Sequence, residues 1–202
     1  MERFDRELDP AGGRLAGIDE VGRGALAGPV VAAAVILPRS SRLLGVNDSK
    51  ALTEDEREAL FQEIVLTARA IGISFNHPIA IDRDNILNAT LITMARAYGN
   101  LGAGVDLVLI DGRDSIDIQT RVVPVIGGDG KSLSIAAASI VAKVARDRAM
   151  RRLHNSHPAY NFNNNKGYGT REHLDAIRKH GVTPLHRRSY RIKAVEKSPR
   201  LF

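Results

Sequence analysis

Four acids stand where a folded chain ordinarily avoids charge. Asp19 and Glu20 close a short apolar run and meet a Gly-Arg-Gly turn (Gly22, Arg23, Gly24); Asp111 ends the apolar segment DLVLID; Asp129 lies in the glycine loop after RVVPVI. An isolated buried carboxylate is expensive. Strand ends in one sheet converge on one edge, so acids distant in sequence can be assembled there. Three or four carboxylates brought together must share protons or hold cations. With no cysteine and six scattered histidines, the fitting ions are Mg²⁺ or Mn²⁺, which prefer oxygen donors. His154 and His157 sit near a helix end beside Pro158 with no partner cluster, so zinc is not expected. Singly, each acid has an ordinary explanation: Asp129 as a cap of the next helix, Asp111 as a turn residue before Gly112. Glu20 follows Asp19 directly, and in a regular strand the two face opposite ways. Both serve one site only if the strand breaks there, which Gly22 and Gly24 would permit.

The charge is unevenly spread. Residues 143–202 carry 15 Lys and Arg against 4 Asp and Glu, whereas residues 1–142 carry 14 against 19. A basic C-terminal section behind an acid-bearing body attracts polyanions, nucleic acid first among them. The charged start MERFDRELDP is neither a signal nor a transit peptide, and the longest apolar run, Ala25–Leu37, is broken by Gly28 and Pro29. These features predict a soluble cytoplasmic protein, without membrane contact and, since no heptad seam is present, monomeric.

Periodicity supplies the elements that must position the acids. Residues 14–19, 30–37, 69–75, 106–112 and 121–126 read as strands, the first two as an antiparallel pair. T-E-D-E at Thr53–Glu56 is a capping box opening a helix to about Thr67. Further helices are expected over 84–101, over 132–154 and over 171–179, the last closed by Gly181. Strands first paired and then alternating with helices give an α/β fold, a mixed sheet with helices on its faces. Asn155–Gly169, rich in Asn and Gly, reads as a linker between residues 1–154 and a small, basic helical portion at 155–202.

GIDEVGRGALAGPVVAAAVIL, NDSKALT, DLVLIDG, IGGD, AASIVAKVARDR, KGYGT and HRRSY, in that order over about residues 16 to 191, resemble ribonuclease HII, the type 2 ribonuclease H. The resemblance implies a ribonuclease H-like mixed five-stranded sheet flanked by helices. It implies cleavage of the RNA strand of RNA/DNA hybrids, and incision 5′ of single ribonucleotides in duplex DNA. Carried over by position, the metal-binding, catalytic carboxylates are Asp19, Glu20, Asp111 and Asp129. Asp147 competes for the fourth place, but ordinary i,i+4 pairing with Lys143 and Arg151 accounts for it. The Gly22-Arg23-Gly24 turn is implied to read the 2′-hydroxyl, and Tyr168 to stack on the neighbouring deoxyribose. Lys50, Lys143 and Arg146 are expected phosphate contacts.

Two cations in such a site neutralise the phosphodiester and activate water, leaving a 5′-phosphate and a 3′-hydroxyl with no covalent intermediate. The rivals are a non-catalytic nucleic-acid binder, a nuclease indifferent to ribose, and a nucleotide hydrolase. The last rests on VIGGDGKS, which lacks the first glycine of a phosphate-binding loop and carries Asp129 where phosphates would sit.

Overall fold

A strand without a polar position must be covered on both faces, and Val30–Ile36 is such a strand, buried along its whole length. The computed structural model describes residues 1–41, 43, 45 and 52–191. In chain order its elements are α1 (Glu2–Leu8), β1 (Leu15–Val21), β2 (Val30–Ile36), α2 (Glu54–Thr67), β3 (Ala70–Asn76), α3 (Pro78–Asp84), α4 (Ile86–Gly99), β4 (Leu107–Asp111), β5 (Arg121–Val125), α5 (Leu133–Ser156), α6 (Phe162–Asn165) and α7 (Arg171–His180). The strands run in the order β3-β2-β1-β4-β5. β2 is antiparallel to both β1 and β3, while β1, β4 and β5 are parallel. This is the expected mixed sheet of five strands.

Each face has its own core. On one, Ala33 and Val35 of β2 meet Leu60 and Ile64 of α2 and Ala137, Ile140 and Val141 of α5. On the other, Ile18, Ala32, Val108 and Ile110 meet Met94 and Ala97 of α4. Gly17 is what lets α5 lie directly on β1, since a Cβ there would fall 2.1 Å from the Ser134 carbonyl carbon.

Caps set the helix ends. Thr53 Oγ1 accepts from Glu56 N, and the Glu56 carboxylate accepts from Thr53 N, completing the expected capping box. Ser132 Oγ accepts from Ile135 N at the start of α5. Asp5 of α1 accepts from Ser134 N and Oγ at 3.0 and 2.9 Å, which ties an unexpected N-terminal helix to α5.

The structure departs from the periodicity in three places. The expected helix over 84–101 begins after a break, because Asn85 at φ 61° ends α3 and caps α4 through its side chain. β1 does not stop at Asp19; it pairs with β2 through Val21. Residues 155–169 are not a loose linker. Tyr160 and Phe162 from this stretch are buried with Met150 of α5 and Ile177 of α7, and Tyr160 Oη donates to Gly181 O at 2.9 Å.

That small core also encloses His173 and His186, which are 0% and 1% exposed. Burial pushes both imidazoles below their ordinary range, and for His186 burial together with the neighbouring His173 brings the pKa down to about 4. Both groups thus bind protons more weakly folded than unfolded. Their stabilisation is complete above the unfolded value of about 6.5 and is lost as pH falls toward the folded one. The thermal midpoint is therefore expected to drop between about pH 6.5 and 4, and His186→Phe is expected to flatten that slope, as read by calorimetry across pH.

Candidate active site

The parallel pairing of β1 with β4 ends at Ile18 and Ile110. The next residues are Asp19 and Glu20 on one strand and Asp111 on the other, so three acids crowd the edge where the ladder stops. β1 stays regular here, correcting the expectation of a break between Asp19 and Glu20. The two carboxylates leave opposite faces and share the sheet's end instead. Asp19 points toward α5, where the Ser139 side chain bonds to it. Glu20 lines a cleft beside α4 with Arg23, Asp111, Arg113 and Met94.

The acids feel one another. Asp19 is only 5% exposed, and its carboxyl is held well above the usual range by burial first and then by the charges of Glu20 and Asp111. Burial also raises Glu20, against the pull of Arg23, whose Nη1 lies 3.4 Å from its carboxylate. Asp19 Oδ1 accepts from Glu20 N at 2.7 Å. Asp111 Oδ1 accepts from Gly128 N at 2.6 Å, which draws the Gly128–Gly130 turn carrying Asp129 up to β4. Among the described residues, no three His, Asp or Glu side chains are gathered closely enough to cage an ion as they stand. The donor set nonetheless suits a hard divalent cation: all its atoms are oxygens, and the mutual repulsion at Asp19 is the strain that a cation relieves.

Beside the acids lies the turn. Gly22 has φ 92°, and a Cβ on it would strike Arg146 Nε at 2.2 Å, so the fold itself demands glycine there. Gly24 has open space around it. Arg146 and Arg187 are both 0% exposed and hold the turn and the segment after it by main-chain carbonyls. Arg146 donates to Pro29 O and Ala27 O; Arg187 donates to Gly28 O and, at 2.8 Å, to Arg23 O. Tyr190 Oη donates to the same Arg23 carbonyl. The expectation of Arg146 as a phosphate contact is corrected, because its guanidinium faces the interior, with its carbon 5.2 Å from the centre of the half-buried Tyr168 ring.

Lys143 Nζ lies 2.6 Å from both oxygens of Asp147. The second expected partner, Arg151, pairs with Glu54 instead. Lys131 donates to Ile126 O at 2.7 Å, folding back on the loop in which a nucleotide hydrolase would need it. Lys50 lies outside the described residues. The sequence leaves Ser139, Arg187 and Tyr190 without individual roles; AASIVAKVARDR is the trace of the first and HRRSY of the other two.

The family model described as Ribonuclease HII matches residues 16–193. The chain is 50% identical over 179 residues to a ribonuclease HII of Wolbachia pipientis subsp. Culex pipiens, covering 88% of this chain and 90% of that one. It is 51% identical over 191 residues to a ribonuclease HII of Geobacillus kaustophilus, covering 94% and 73%. Among solved structures, the complex of PCNA and RNase HII from Archaeoglobus fulgidus superposes with a TM-score of 0.77 at 28% identity, covering 88% of this chain and 95% of that one. Fold and edge thus define an RNase H-type nuclease. The chain belongs to the ribonuclease HII family, and it is an endoribonuclease that cleaves an RNA strand. No helix among the described residues is long and apolar enough to cross a membrane.

Two substitutions check this architecture. Lys143→Ala leaves Asp147, buried in α5, without its cation and should cost about 3 kcal/mol in denaturant unfolding. Gly22→Ala should cost about 2 kcal/mol for the strained backbone, with incision falling further than stability because Arg146 is displaced.

Proposed function

We propose that this endoribonuclease acts on RNA/DNA hybrids and also incises 5′ of single ribonucleotides in duplex DNA, using Mg²⁺ or Mn²⁺ held by Asp19, Glu20, Asp111 and Asp129. The observation that carries the reading is the set of mutually repelling carboxylates at the end of β1 and β4. A pair of bound ions would supply charge neutralisation and activated water, the chemistry that phosphodiester hydrolysis needs.

The chain's own residues supply the rest. Asp19 is oriented by Glu20 N and the Ser139 side chain, and Asp111 by Gly128 N. The Gly22-Arg23-Gly24 backbone, held from behind by Arg146 and Arg187, meets the 2′-hydroxyl, which distinguishes RNA from DNA. The open space at Gly24 favours close approach by a sugar. Tyr168, backed by Arg146, stacks on the adjoining deoxyribose. Arg146 serves as a support and not as a phosphate contact; Lys143 offers a partly exposed cation beside the site, and Lys50 retains its expected contact role. The basic segment after residue 154 works with the core as one unit on the polyanion.

The test is an end-labelled DNA duplex carrying one ribonucleotide, an RNA/DNA hybrid and an all-DNA control, each with Mg²⁺ or Mn²⁺. Incision 5′ of the ribonucleotide, with a 3′-hydroxyl and a 5′-phosphate, is expected. Asp111→Asn should lower it by at least ~100-fold, on the order of the loss of an electrostatic contribution at a hydrolytic site. Cleavage of the all-DNA duplex at a comparable rate would remove the 2′-hydroxyl reading, and a protein–nucleic acid adduct would remove the hydrolytic one.

A further inference from the structure

The stretch from Gly22 to Pro29 leaves the sheet and is gripped along both edges. On one side Gly167 O accepts from Leu26 N and Ala27 N at 2.8 and 3.2 Å; on the other Gly28 N donates to Leu185 O and Arg187 N to Leu26 O, both at 2.9 Å. The two flanking segments come from opposite ends of α7. They are joined by a contact that the proposed chemistry does not use: His173 Nε2 and His186 Nε2 are 3.2 Å apart.

The partners of this pair determine its protons. Tyr168 O can only accept, so His173 Nδ1, 2.9 Å away, carries hydrogen. A neutral His173 then presents Nε2 as an acceptor, and His186 Nε2 must donate to it. His186 Nδ1 is left as the acceptor, and it receives Thr183 N–H at 3.0 Å. Every ring nitrogen is used, in one consistent direction, only when both rings are neutral. The rings of Tyr160 and Phe162 surround the pair and exclude water.

We infer that His173 and His186 are positioning residues for ribonucleotide discrimination: their hydrogen bond sets the Tyr168 loop against the Gly-Arg-Gly turn. The inference rests on the proposed function, in which the turn meets the ribonucleotide and Tyr168 its neighbour. Neither ring reaches the carboxylates. A single embedded ribonucleotide offers one register, in which both contacts must be met together. A long hybrid offers many registers and tolerates a displaced Tyr168. Misplacement of about 1 Å at a reacting geometry is worth ~100-fold, so the loss should fall on the single-ribonucleotide substrate.

Two measurements decide it. On uniformly ¹⁵N-labelled full-length protein at neutral pH, the imidazole shifts should show His173 protonated at Nδ1 and His186 at Nε2. Both rings in the same tautomer, or either charged, would overturn the inference without any variant. In the incision assay His186→Phe should lose ~10- to 100-fold on the single-ribonucleotide duplex and ~3-fold or less on the hybrid. His186→Gln, whose amide N–H can replace the Nε2 donor, should recover most of the loss. An equal fall on both substrates, or none, would refute the positioning role. Wild-type protein that treats the single-ribonucleotide and all-DNA duplexes alike would instead sink the underlying function, whatever the variants do.

Discussion

Like charges in a dry place dominate this structure. Asp19, Glu20 and Asp111 lie near one another where the β1–β4 ladder stops, and burial makes the charges of Asp19 and Glu20 costly. The surroundings partly offset this with single hydrogen bonds, from Glu20 N, from Gly128 N and from the Ser139 side chain, while Arg23 supplies the nearby positive charge. Much of the fold serves to hold that arrangement. The apolar β2 anchors β1 from one side, α5 presses against Gly17, and α4 walls the cleft at Glu20. A site that stores repulsion gains more from a divalent cation than a neutral one does, so its instability and its affinity have one origin.

A second theme is the use of buried cations that hydrogen-bond to the main chain. Arg146 and Arg187 are wholly enclosed, yet the partners found for their guanidiniums are main-chain carbonyls and, for Arg187, the Tyr190 hydroxyl. Burial lowers both, Arg146 to about 10. Carbonyl partners fix the path of the backbone from Arg23 to Pro29 whatever its side chains are. The shape of the Gly22–Pro29 stretch is therefore imposed from outside it.

Most of the sheet was legible because its signals are local. The short apolar run of β1, the unbroken apolar run of β2 and the capping box at Thr53 each reflect physics within a few residues. Asp19, Glu20 and Asp111 were legible as well, because acids at the ends of apolar runs are conspicuous. What could not be read depends on distant partners. Asn85, which breaks 78–99 into two helices, adopts φ 61°, a conformation the periodicity of Ile86, Leu87 and Leu91 does not report. Asn155–Gly169 looked like a linker by composition, but Tyr160 and Phe162 bury themselves against Met150 and Ile177. Arg146 looked like a surface cation, and only the fold reveals the carbonyls that enclose it. The roles of His173 and His186 depend on a pairing across thirteen residues that no local pattern encodes.

The bond from Arg187 to Arg23 joins positions 164 apart in a chain of 202. A ribosome delivers the carboxylates of β1 well before this guanidinium. The sheet, α2 and α5 can pack from residues made before then, so an acid-lined edge exists while the turn beside it still lacks its outer support. The Gly22–Pro29 stretch is thus braced only after the carboxylates have been made, and a chain interrupted after α5 would carry those acids without the bonds from Arg187 that hold the turn beside them.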